Sequence, residues 1–149
     1  YFLPLENPQG TWDRASVYEM ISLHDIDEIE TGDVLGYTKT DAIRAAEAEA
    51  MRVVMEKSPL HMRPSMQRAI DVYDEQVTPE SVFVKALDKF EPLVQMYNEN
   101  GKQTFQTNKT TAEDAYKIKE SYILPFPHMY RMYRVIHEAM INEGFFYKP

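Results

Sequence analysis

His24, Asp25, Asp27, Glu28, Glu30 and Asp33 place one imidazole and five carboxylates within ten consecutive residues. Imidazole and carboxylate are ligands for divalent cations, and without a thiolate the set suits Mn, Co, Fe, Ni, Zn or Mg. Such a density suggests metal chemistry. An adjacent His-Asp pair alone says little in a chain with 24 acids among 149 residues. Its neighbours must carry the case.

A polar site needs rigid elements to hold it. Residues 15–23 place apolar side chains at helical spacing, which predicts a helix from about 13 to 28, capped by Thr11 or Asp13. On it His24 and Glu28, four apart, would share a face. Gly32 and Gly36 then break the chain, and an Ala-rich stretch predicts a helix over 38–56 with Thr40 as its cap. Further helices are expected over about 64–74, from Thr78-Pro79-Glu80 to about 99, to about 122 after Thr111, and over about 128–143. Residues 101–111 are polar and read as a loop. No segment alternates with period two, so the expected fold is all-α, with about six helices joined by short loops.

At this length one domain spanning 1–149 suffices. The formal charge of −8 argues against binding to nucleic acid polymers or anionic membranes. No apolar run approaches the ~20 residues that span a bilayer. The absence of cysteine leaves no disulfide framework and suits the cytoplasm. The opening Tyr1-Phe2-Leu3-Pro4, without methionine, reads as the end of an earlier helix, so an upstream segment is expected.

The spacing Leu23-His24-Asp25, Glu28, Gly32-Asp33 resembles the HD-domain phosphohydrolases, and more narrowly their small single-domain 5′-deoxynucleotidase branch. The similarity continues through 46–51, Thr78-Pro79-Glu80, and 83–91 with its Asp88, to Phe126-Pro127 and 143–145. The resemblance implies an HD-type helical bundle in which His24, Asp25 and Asp88 bind one divalent cation. Glu28 and Asp33 would be the assisting acids, Glu28 acting on the attacking water and Asp33 on a sugar hydroxyl or the chemistry. It implies a phosphohydrolase that cleaves nucleoside 5′-monophosphates through a metal-activated water, with a small nucleotide as substrate and a homodimer as the expected assembly. Tyr130, Met132 and Tyr133 are candidates for that dimer surface.

The family's order is His, then His-Asp, then Asp, and residues 1–23 hold no histidine. The first ligand is expected on an upstream helix absent from this sequence. The alternative is a weak or inactive HD-fold module that binds a nucleotide or a regulatory partner. His61, His128 and His137 follow the pair and are expected to be ordinary core or surface histidines. Lys89 is expected to form a salt bridge, with Lys85 and Arg52 as lesser phosphate candidates.

Overall fold

A computed structural model describes residues 1–32 and 40–149. These residues are helical, with no strand among them, as the sequence pattern predicts. The chain divides into two compact units, one formed by 13–81 and the other by 1–12 together with 82–149.

In the unit 13–81 the first helix is α2 (Arg14–Leu23), α1 (Leu3–Glu6) belonging to the other unit. Asp13 caps it by accepting from the Ala15 amide at 2.9 Å, and Glu80 Oε1 accepts from the Asp13 amide at 2.9 Å. Val17 and Met20 are buried on its inner face. They pack with α5 (Arg63–Glu75), whose Met66, Ala69, Ile70 and Tyr73 repeat at helical spacing and are also buried. The short α3 (Glu28–Thr31) packs on α4 (Asp41–Lys57), and Glu30 is ion-paired with Lys57. Thr40 caps α4 from the Ile43 amide, 3.3 Å away. At the far end of the unit Thr78 and Ser81 cap one another, each hydroxyl accepting from the other's amide at 3.1 and 3.2 Å.

The other unit contains α1 (Leu3–Glu6), most of α6 (Pro79–Gln95), α7 (Glu99–Thr107), α8 (Ala112–Ile123) and α9 (Pro127–Asn142). Phe83, Val84, Ala86, Phe90 and Leu93 give α6 a wide buried face. Trp12 lies against Phe83 and Phe126, with centroids 5.2 and 6.3 Å away. On α9, Met129, Tyr133, His137 and Met140 are buried at spacings of four, four and three. Tyr133 is fully buried, so it cannot line a surface, whereas Met132 is exposed.

Two elements depart from the sequence expectation. The helix predicted to reach residue 28 ends at Leu23, because the Ile26 amide turns back to the Leu23 carbonyl (3.2 Å), three residues behind it. Carboxylates at 25, 27 and 28 are unfavourable at the negative end of a helix dipole, which is where continuation would put them. Residues 101–107, read as a loop, belong to α7. Asn98 caps it from the Gly101 amide at 3.0 Å, and the Gln106 amide group donates to the carbonyls of Phe145 (3.1 Å) and Phe146 (2.9 Å).

Candidate metal centre

His24 follows the last residue of α2 and keeps helical backbone angles, its amide donating to the Met20 carbonyl at 2.9 Å. Its ring is fixed twice. Nδ1 lies 3.1 Å from the Ile21 carbonyl, which can only accept, so Nδ1 carries a proton and Nε2, when unprotonated, offers a lone pair. The ring face also rests against Tyr73 of α5, with centroids 5.1 Å apart. Nε2 then approaches Asp25 Oδ2 to 2.9 Å. Two lone-pair atoms this close repel unless a proton or cation lies between them. Ligand atoms bound at right angles to one cation, each about 2.1 Å from it, would be about 3 Å apart. The pair therefore fits a divalent cation, with Asp25 more exposed (53 %) than His24 (16 %).

Glu28 opens α3, and its amide donates to the Asp25 carbonyl at 3.0 Å. It does not share a continuous helix with His24, contrary to expectation, because the chain turns between them. Its side chain is half-buried. Asp33 lies outside the described residues.

In the other unit Asp88 occupies α6, where Lys89 Nζ and Lys85 Nζ approach the same Oδ2 at 3.1 and 3.6 Å. The salt bridge expected of Lys89 is present, and Lys85 joins it. Arg52 instead pairs with Glu49 and Glu56 along its own exposed helix face. Sequence reasoning missed Lys119 of α8, whose ammonium feels the charges of Lys89, Asp88 and Glu91. Desolvation first, and Lys89 second, push its pKa down to about 8, against the opposing pull of Asp88 and Glu91. A signal existed. Ala115, Lys119 and Ile123 recur every four residues, and the flanking two are buried, so a lysine interrupts the apolar stripe of α8.

The other histidines are structural. His137 is buried among Tyr116, Tyr133 and Phe146, with Nε2 3.0 Å from the Ala112 carbonyl. His128 reaches Glu6, and His61 is exposed.

His24 and Asp25 of the unit 13–81 offer one nitrogen and one carboxylate, and Asp88 of the other unit offers a further carboxylate. One nitrogen and two carboxylates, without sulfur, suit a hard or borderline divalent cation. A family model described as the HD domain matches residues 2–132. The chain belongs to the HD-domain family. HD-domain proteins are in general metal-dependent phosphohydrolases that bind divalent cations. No curated protein and no solved structure matches this HD-domain chain significantly.

Proposed function

We propose that this HD-domain protein hydrolyses nucleoside 5′-monophosphates, with His24, Asp25 and Asp88 holding one divalent cation and Glu28 and Asp33 assisting. The observation that carries the reading is the 2.9 Å approach of His24 Nε2 to Asp25 Oδ2, with Nδ1 committed to the Ile21 carbonyl. The narrower choice of substrate rests on the spacing of Leu23-His24-Asp25, Glu28 and Gly32-Asp33.

A divalent cation held there would favour ionised water at neutral pH and offset charge on the phosphate oxygens. The remaining work belongs to side chains. The Ile21 carbonyl and Tyr73 orient the His24 ring, so its lone pair needs no reorganisation. Glu28 accepts the proton that water loses as its oxygen forms the new bond to phosphorus. The bond from phosphorus to the 5′ oxygen breaks, and that oxygen leaves with a proton as the nucleoside hydroxyl. Water supplies every atom gained, and no covalent phosphoenzyme is required. Asp33 accepts a hydrogen bond from the sugar or supports Glu28. A homodimer in the cytoplasm, acting on a free nucleotide rather than on a nucleic acid or membrane, completes this reading.

Phosphate release from a panel of ribo- and deoxyribonucleoside 5′-monophosphates, with Mn, Co, Mg or Zn, tests the activity. Release from none of them, by protein that binds metal stoichiometrically, would defeat it. Asp88→Ala is expected to lose metal and activity while its circular dichroism stays helical. Full metal content in that variant would remove Asp88 from the ligand set.

A further inference from the structure

Where α8 packs on α9 there is a cavity of about 440 Å³, lined by Tyr116, Arg134, His137, Glu138 and Ile141 among others. None of these is a proposed metal ligand, and the volume lies in the range that holds small molecules. His137 is buried there, with Nε2 donating to the Ala112 carbonyl at 3.0 Å and the Tyr116 ring centroid 5.3 Å away. Burial holds its imidazole below the ordinary pKa, so this ring is neutral near pH 7. Tyr116 is neutral as well, since burial first and Glu120 second push its pKa up to about 12. Ile141 adds aliphatic surface. The two rings and Ile141 thus give the cavity an uncharged, largely apolar lining.

Two opposite charges border that lining. Arg134 and Glu138 stand one turn apart on α9, about 6 Å along its axis, yet neither has a salt-bridge partner among the described residues. Their order is one reason, because an acid N-terminal to a base pairs better on a helix than the reverse. The other is local. The Arg134 guanidinium lies over the Tyr116 ring, 5.8 Å from its centroid, and Nη1 donates to Tyr116 Oη at 3.4 Å. Glu120 feels this charge, but its Oε1 accepts from Tyr116 at 2.5 Å and from Tyr130 at 2.9 Å. Most of the guanidinium donors therefore stay open. Glu113, the other acid at the cavity, is paired with Lys117 at 2.5 Å.

A cation and a carboxylate beside an apolar cavity match a molecule that carries the opposite two charges a short distance apart, with an apolar group next to them. We propose that this cavity binds a free α-amino acid with a branched or aromatic apolar side chain, held at its two charged groups by Arg134 and Glu138. The ligand's carboxylate accepts from the planar guanidinium, and its ammonium donates to Glu138. Its side chain lies against Tyr116, His137 and Ile141. A ligand with a single charge would leave Arg134 or Glu138 partly desolvated without a counterpart. A mononucleotide suits the site less, because its phosphate would meet Arg134 but be repelled by Glu113 and Glu138. The inference does not depend on the hydrolytic reading.

L-Phenylalanine and L-leucine, titrated into the full chain and followed by ligand-observed NMR, are expected to bind with a Kd of about 1 mM or tighter. Phenylpropionate, which lacks the ammonium, and phenethylamine, which lacks the carboxylate, should each bind more weakly than L-phenylalanine by about tenfold or more. Arg134→Met and Glu138→Gln should each weaken L-phenylalanine binding by about ten- to hundredfold, the loss of a charged hydrogen bond. Both residues are exposed, so the variants are expected to fold, and circular dichroism checks that they do. The proposal falls if neither amino acid binds, if either variant keeps the wild-type affinity, or if a singly charged analogue binds as tightly as L-phenylalanine. Binding of adenosine monophosphate in place of the amino acids, lost in Arg134→Met, would make the cavity an anion site and overturn the proposal too. Phosphate release by the metal-loaded protein is a separate readout that none of these outcomes alters.

Discussion

His24 is braced on its Nδ1 side and on one ring face, which leaves Nε2 as its functional atom. The sequence displayed the His-Asp adjacency directly, while Asp88 entered only through the resemblance of residues 83–91 to the family. It could not display the tyrosine that backs the ring, which acts through the packing of α2 on α5, nor the ring orientation that brings Nδ1 to the Ile21 carbonyl at the end of α2. It also concealed Lys119, whose neighbours in space lie about thirty residues earlier. A second histidine makes a contrasting prediction. His137 is buried, and that burial holds its pKa below the ordinary imidazole value even though the Ala112 carbonyl acts the other way. The unfolded chain, with imidazole near 6.5, therefore binds more protons than the folded one in the window below that pH. The stability is present above about pH 6.5 and is lost as pH falls through the window. Thermal melts at pH 7.5 and 5.5 should show a larger drop for the wild type than for His137→Phe, which keeps the ring packing. Equal drops would clear His137 of the effect.

The helices with apolar faces were legible within a few residues at each end: α4, α5, α6, α8 and α9 each carry a buried stripe and a recognisable start. α7 was not, because little of it is apolar. Its fixed points are an asparagine cap, the amide group of Gln106 and the Lys102 ammonium, which donates to the Glu143 carbonyl at 2.8 Å. None of these has a period. Gly101 misled for a related reason. It reads as a helix stop, yet it is the third residue of α7 and is buried. A Cβ there would collide with the backbone of Met96, standing only 2.7 Å from its Cα. Gly101→Ala is thus expected to destabilise the fold by about 1–3 kcal/mol despite alanine's better helix propensity, as overpacking does. Urea unfolding would measure it, and a stabilised variant would contradict the close approach.

Across the whole chain, the described residues contain no helix long and apolar enough to cross a membrane. Within the unit of 1–12 and 82–149 one early residue makes a long-range polar contact. Glu6 has a side chain only 2 % exposed, and its Oε1 accepts from the Met129 amide at 2.7 Å. It caps α9 as a local Asp or Ser would, and its charge favours the positive end of that helix. Glu6→Ala should cost about 1 kcal/mol, read as a lower urea midpoint, while Glu6→Gln should retain part of it. A full-strength Glu6→Ala protein would show that another group satisfies the Met129 amide. This partnership was illegible in sequence because Met129 lies 123 positions from Glu6 and no local pattern links them.

That cap also bears on the order in which the chain can mature during synthesis. Residues 13–81 can make all their own contacts as soon as they leave the ribosome, whereas Glu6 must wait until α9 has been made. Residues 2–6 are thus among the last of the described residues to find their place, after a loop of more than a hundred residues has closed. Until then Phe2 and Leu3, both buried in the finished protein, remain exposed. That interval is when the nascent chain is most open to aggregation and to chaperones.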